Sequence, residues 1–148
     1  MTQDMNDGDV ISPELDAMVG DVLGSFLDAL AEGDDPGVVV CLEDAQANRY
    51  EAAFTEDGVE ACLTGARQFV SQHADGLPGD HVGPIQRYAI AYAGLVDAGG
   101  YQDAVIVSFY EHDLSSGFSA YVLYDGAGTG DGFDWSDPQP AGAEGPLL

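Results

Sequence analysis

Negative charge limits the structures that this chain can adopt. Of its 148 residues, 27 are acidic, three are arginine (Arg49, Arg67 and Arg87) and none is lysine, so the formal net charge is −24. Because 45% of the residues are hydrophobic, the chain still has enough apolar side chains to build a core, unlike a disordered acidic segment. Its length corresponds to one ordinary domain.

The scarcity of cations argues against several functions. Binding to nucleic acid or to an anionic membrane depends on Lys and Arg contacts, so we expect neither. Without lysine the chain has no G-x-x-x-x-G-K-[ST] phosphate loop and no Schiff-base chemistry. No apolar run approaches the roughly 20 residues that span a bilayer. Residues 1–10 carry three Asp and no positive charge, unlike a secretory signal, which predicts a cytoplasmic protein.

Hydrophobic spacing predicts two helices. Ser12, Pro13 and Glu14 have the composition of a helix start, and apolar residues then recur at i, i+3, i+4 and i+7 through residue 30. Gly20 and Gly24 lie beside this apolar stripe, where we expect them to admit a closely packed neighbour. A second apolar helix face runs through residues 59–70.

Five segments have the alternating or β-branched pattern of strands: residues 38–42, 50–54, 87–96, 103–110 and 118–124. The order α-β-β-α-β-β-β predicts a single α+β domain. Its antiparallel sheet consists of a hairpin and a three-stranded meander, with both helices on one face. The domain covers residues 12–124, between a flexible acidic leader (1–11) and a Gly-, Pro- and Asp-rich tail (125–148).

Histidine and cysteine are the candidates for chemistry. His73, His81 and Asp80 fall in one Gly- and Pro-rich loop, and imidazole with carboxylate suits Zn, Ni or Mn. The seven residues between the two histidines match no tight metal-ligand spacing, so we favour a solvated loop. Cys41 and Cys62 lie in apolar stretches without C-x-x-C spacing, which predicts buried, unreactive thiols. We therefore expect no catalytic residue, bound metal or cofactor.

The tail contains regularly spaced acids and glycines. Asp131, Asp134 and Asp137 are three residues apart, whereas a calcium-binding EF-hand loop needs acids at alternate positions. The dinucleotide-binding pattern G-x-G-x-x-G is also absent, because Asp131 stands at the position where the pattern requires its last glycine. We expect a disordered acidic tail anchored by Phe133 and Trp135, with a short partner-recognition motif at these aromatics as the alternative.

The acidity has two explanations. A lysine-free composition rich in Asp, Ala, Gly and Val is typical of salt-accumulating halophiles, so the charge can belong to the whole proteome. Alternatively, the charge is the function, since an acidic surface steers and covers basic partners. The acids are scattered, with no long acidic block, which favours the first explanation.

These features predict a non-catalytic binding or regulatory module that acts through protein contacts. The alternative is an acidic inhibitor, immunity protein or nucleic-acid mimic that covers a basic partner. A small hydrolase or metal-binding protein that uses its histidines, His112 included, ranks third. The expected partner is a protein, and a homo-oligomer is compatible with the sequence. The predicted interface consists of one bulky strand face and the two tail aromatics: Tyr88, Ile90, Tyr92, Phe133 and Trp135.

Thermal unfolding in KCl between about 0.05 and 3 M distinguishes the two explanations of the charge. We expect the midpoint to keep rising into the molar range, because the Debye length has already fallen to about 3 Å at 1 M and simple screening has saturated. A midpoint that barely responds to salt would argue against a proteome-wide adaptation.

Overall fold

The computed structural model describes residues 11–55, 58–97, 99–114 and 116–148, so the predicted leader lies outside it except for Ile11. It contains two α-helices, α1 (Pro13–Ala31) and α2 (Val59–Gln72), and single 3-10 turns at Pro78–Asp80 and Gly130–Gly132. The strands are β1 (Val38–Asp44), β2 (Arg49–Phe54), β3 (Ile85–Asp97), β4 (Tyr101–Glu111), β5 (Gly117–Asp125), β6 (Asp134–Trp135) and β7 (Gln139–Glu144). The predicted α+β class and the order of elements through β5 are confirmed.

One antiparallel sheet connects all the strands. Its order is β2-β1-β3-β4-β5-β6. β6 pairs with the last two residues of β5, and β7 pairs with the earlier part of β5, from Gly117 to Tyr121. The predicted disordered tail is therefore wrong, because two of its segments pair with β5. Ser136 fixes this arrangement: its N–H donates to the Leu123 carbonyl at 2.9 Å and its hydroxyl accepts the Leu123 N–H at 3.0 Å.

The two helices pack on opposite faces of the sheet, which corrects the expectation that both lie on one face. α1 contacts the face that carries Cys41, Ala89 and Ala91, together with alternate residues of β4 and β5. α2 contacts the other face, where Leu42 and Ile90 project. Both faces of β1 and β3 are apolar, so each face needs a cover to exclude water.

α1 is positioned by its first turn. The Ser12 hydroxyl accepts the Leu15 N–H at 3.0 Å and donates to Glu111 Oε1 at 2.6 Å, while the Ser12 N–H donates to Glu111 Oε2 at 2.8 Å. The carboxylate of Glu111 is thus bound at the positive end of the helix, where a negative charge is favourable. This contact ties the start of α1 to the end of β4.

A row of alternating charges crosses four strands beneath that contact. Arg49, Glu43, Arg87 and Glu111 are direct cross-strand partners on β2, β1, β3 and β4. Glu43 accepts from Arg49 Nε at 2.7 Å and also from Arg87 Nη1, and Arg87 Nε lies 3.5 Å from Glu111 Oε1. Glu43, Arg87 and Glu111 are all buried, so each charge depends on its neighbours for compensation.

Asp44 holds the loops at the same end of the sheet. It accepts the backbone N–H groups of Gln46, Asn48 and Gly83 and the side-chain amide of Asn48, all within 2.8–2.9 Å. Burial raises the pKa of this carboxyl, but the hydrogen bonds from Gly83, Asn48 and Gln46 outweigh it and lower the pKa to about 2. Asp44 therefore stays ionised and keeps the β1–β2 turn closed.

The charge row predicts a large effect of Glu43→Gln on stability. The change leaves two arginines without their shared carboxylate, and breaking a buried ion pair typically costs about 3–5 kcal/mol. Urea unfolding measures this difference. Glu51→Gln is the matched control because Glu51 is exposed on β2; we expect it to change stability by less than about 0.5 kcal/mol. A loss below about 1 kcal/mol for Glu43→Gln would contradict a stabilising role of the row.

Candidate functional site

The structure places the three histidines in separate environments. His73 ends α2, with its ring 4.2 Å from the Phe69 ring and its Nδ1 2.8 Å from the Phe69 carbonyl oxygen. His81 is exposed in the left-handed conformation after the turn that contains Asp80. His112 is exposed after β4, with its ring 6.0 Å from Tyr110. Within the described ranges, no three His, Cys, Asp or Glu side chains come together as metal ligands.

The two cysteines are buried on opposite faces of the sheet. Cys41 belongs to the core under α1, and Cys62 to the core under α2. Burial raises the pKa of the Cys41 thiol to about 12, against a smaller opposing effect of Arg49. Cys41 therefore remains a neutral thiol at physiological pH.

The residues of the predicted interface differ in their burial. Tyr88 and Ile90 lie in the core under α2 and are not available to a partner. Burial raises the pKa of Tyr88 to about 12, and its hydroxyl accepts the Leu147 N–H at 3.2 Å. Tyr92 is partly buried, and Phe133 is buried against the core under α1. Trp135 remains 57% exposed.

Trp135 and Phe133 form one wall of a groove beside α1, which we call the aromatic groove. The rings of Tyr124, Phe133 and Trp135 follow one another with centroids 5.8 Å apart. The groove has a volume of about 370 Å³. Its main lining residues are Gly20, Leu23, Gly24, Asp28, Leu27 and Ala31 of α1, with Val122, Phe133, Trp135, Asp137 and Pro138 opposite.

Two glycines of α1 give the groove its depth. A Cβ atom at Gly20 or Gly24 would meet no atom within 4 Å, so the expected close neighbour is absent among the described residues. A glycine inside a helix costs about 1 kcal/mol relative to alanine. Among the described residues nothing occupies the space beside these glycines to offset that cost, and both glycines line the aromatic groove.

Carboxylates accompany the apolar lining. Asp28 on α1 and Asp137 after β6 both line the groove and are exposed. The charge row holds Arg49 and Arg87, whereas Arg67, exposed on α2, forms no ion pair with any residue that the structure describes. The aromatic groove thus combines an exposed indole, aliphatic side chains and negative charge, a combination that suits a ligand with apolar and cationic parts.

The loop after β5 joins the two walls of the groove at one end. The Gly128 N–H donates to the Leu30 carbonyl at 2.9 Å, which connects this loop to the last turn of α1. Gly33 and Gly128 also approach closely: a Cβ at Gly33 would lie 3.4 Å from the Gly128 Cα. These contacts fix the spacing between α1 and the segment that carries Trp135.

The chain matches no protein-family model, no curated protein and no solved structure. None of the helices in the described ranges has the length and apolar character needed to cross a membrane.

Sequence reasoning found the aromatic wall of the groove but missed its helical wall. Phe133 and Trp135 were conspicuous as the only aromatics of the tail. Leu23 and Leu27 belong to the apolar stripe of α1 and look like ordinary core residues in the sequence. The available signal was the pair Gly20 and Gly24, since two glycines one turn apart weaken a helix unless the space is used.

The buried thiols predict low reactivity. In the folded protein, iodoacetamide should modify both cysteines at least about a hundredfold more slowly than in guanidinium chloride, because reaction requires local opening. A Cys62→Ala variant isolates Cys41, and mass spectrometry over time gives its rate. Modification of Cys41 as fast as that of an unfolded thiol would contradict its burial.

Proposed function

We propose that this chain is a non-catalytic module that binds a partner protein in the aromatic groove. The observation that carries the proposal is Trp135, a large aromatic side chain left 57% exposed at the rim of an apolar groove. A single exposed hydrophobic side chain is ordinary, but an exposed tryptophan that continues an apolar groove is typical of an interaction site, and tryptophan often dominates the binding energy of protein interfaces. The partner would insert an apolar side chain between Trp135 and Leu27.

The charge around the groove selects the partner. Asp28 and Asp137 favour a segment with Lys or Arg next to its apolar anchor, and such a cation can stack on the Trp135 ring. The formal charge of −24 disfavours acidic partners and accelerates encounter with basic ones. We therefore propose a basic protein as the partner.

A second candidate function is the covering of a basic surface by charge alone, as an inhibitor or nucleic-acid mimic. It is supported by the ion pairs of Arg49 and Arg87, which leave few cations to oppose the acidic side chains. This function needs no groove, and its affinity would fall steeply with salt for every basic partner. The two candidates thus differ in their dependence on the residues of the groove.

Trp135 is the only tryptophan of the chain and reports directly on the groove. The probe is a helical peptide with a leucine stripe flanked by arginines, added at physiological salt. Binding should shift the tryptophan emission to shorter wavelength, because the peptide removes water from the indole. Gly24→Leu should weaken binding by about tenfold or more by filling the groove, without loss of stability, because the helix gains propensity.

Ser25→Leu is the matched control, because it adds a leucine at an exposed position of α1 next to Gly24 but on the side of the helix away from the aromatic groove. We expect it to leave the affinity within about twofold. Equal affinities of Gly24→Leu and the unmodified chain, combined with a steep loss of affinity in salt, would reject the groove and favour binding by charge alone.

A further inference from the structure

Strand β2 forms one edge of the sheet. Among the described residues it pairs with β1 only, and Arg49, Glu51 and Ala53 are exposed. This surface lies on the side of α1 away from the aromatic groove, since α1 crosses the sheet between them. It is therefore a surface separate from the one proposed above.

The hydrogen-bond pattern shows which backbone groups of β2 point outward. The Asp44 N–H donates to the Asn48 carbonyl at 3.0 Å, which sets the phase of the β1–β2 ladder. In an antiparallel pair, positions that hydrogen-bond to the partner strand alternate with positions that do not. Tyr50, Ala52 and Phe54, which lie opposite Leu42, Val40 and Val38, therefore hydrogen-bond to β1. The N–H and C=O groups of Arg49, Glu51 and Ala53 consequently point away from the sheet.

This edge lacks the features that protect the opposite side of the sheet. β2 contains no proline, and its register with β1 is regular from Arg49 to Phe54. β7 contains Pro140, and its pairing with β5 is interrupted by a register shift at Ser119 and Ala120. Proline and bulges block strand addition, so β2 is the more accessible of the two for a further strand.

A second groove lies between this edge and α1. It has a volume of about 320 Å³ and an apolar lining to which Phe26, Val39 and Ala53 contribute. A strand added to β2 would direct every second side chain into this groove, because residues in register share a face. The groove thus supplies side-chain contacts beside the backbone hydrogen bonds.

The charge at the edge identifies the occupant. Glu51 and Asp21 line the groove, and Glu51 has no cationic partner among the described residues. A second copy of this chain would bring another charge of −24 to the same edge. A basic segment would instead place Lys or Arg opposite Glu51 and an apolar side chain opposite Ala53.

We propose that the outer edge of β2 binds an extended basic segment of a partner protein by strand addition, with alternate side chains of that segment in the groove beneath α1. The segment pairs with Arg49, Glu51 and Ala53. Its basic side chains compensate Glu51, and its apolar side chains contact Phe26 and Ala53.

The test uses a short acetylated peptide whose groove-facing positions carry arginine and valine in turn, with threonine at the positions between them (Arg-Thr-Val-Thr-Arg-Thr-Val), and follows the backbone amides of the full chain by NMR. The amides of Arg49, Glu51 and Ala53 should shift and gain protection from hydrogen exchange, while the Trp135 emission stays unchanged. A peptide with glutamate in place of arginine should bind at least about tenfold more weakly. The unchanged emission separates this result from binding in the aromatic groove.

Three variants locate the contact. Ala53→Pro removes an outward N–H without removing a bond to β1 and should weaken binding about tenfold, whereas Ala53→Val retains the N–H and should bind within about threefold. Glu51→Arg changes charge and leaves the backbone intact, so it should reverse the preference between the two peptides. Urea midpoints establish that each variant is folded.

Three results would overturn the proposal. The first is peptide-induced shifts confined to other strands. The second is equal binding of the arginine and glutamate peptides. The third is concentration-dependent self-association, in the absence of peptide, that protects the amides of Arg49, Glu51 and Ala53. The last result would make a second copy the occupant of the edge.

Discussion

The buried charge row determines the arrangement of this molecule. Glu43 is shared by Arg49 and Arg87, and Glu111 connects the row to Ser12 at the start of α1. Buried charges are tolerated only when they are compensated, so these contacts fix the register of four strands and the start of the helix together. The position of α1 in turn divides its face of the sheet into the two grooves, one beside Trp135 and one beside β2.

The secondary structure could be predicted because its signals are local. Apolar spacing identified α1 and α2, and alternation identified β3, with its Tyr88 and Ile90 face opposite its alanine face. The side on which each helix packs is not a local property. The apolar run from Val38 to Leu42 has the pattern of a strand buried on both faces, but which helix covers which face depends on long-range packing.

The tail illustrates a different limit. Its glycines, prolines and acids are typical of a disordered segment, and each has a low intrinsic preference for strand. The pairing of β6 and β7 comes from β5, whose outer edge offers hydrogen-bonding groups that the tail can satisfy, and from Phe133, which packs against the core under α1. Strand formation here depends on tertiary contacts, so no window of the tail sequence predicts it.

The acidity affects how fast partners are encountered, whereas the grooves affect which partner binds. Charge spread over a whole surface accelerates encounter with any basic molecule but does not distinguish one from another. Discrimination requires shape, and the shape comes from uncharged features: two glycines in α1, the exposed ring of Trp135 and the free backbone of β2. A proteome-wide adaptation to salt would account for the number of carboxylates, but it would not account for two helix glycines at which a Cβ would meet no atom of the described residues. The glycines and Trp135 therefore carry more information about function than the net charge does.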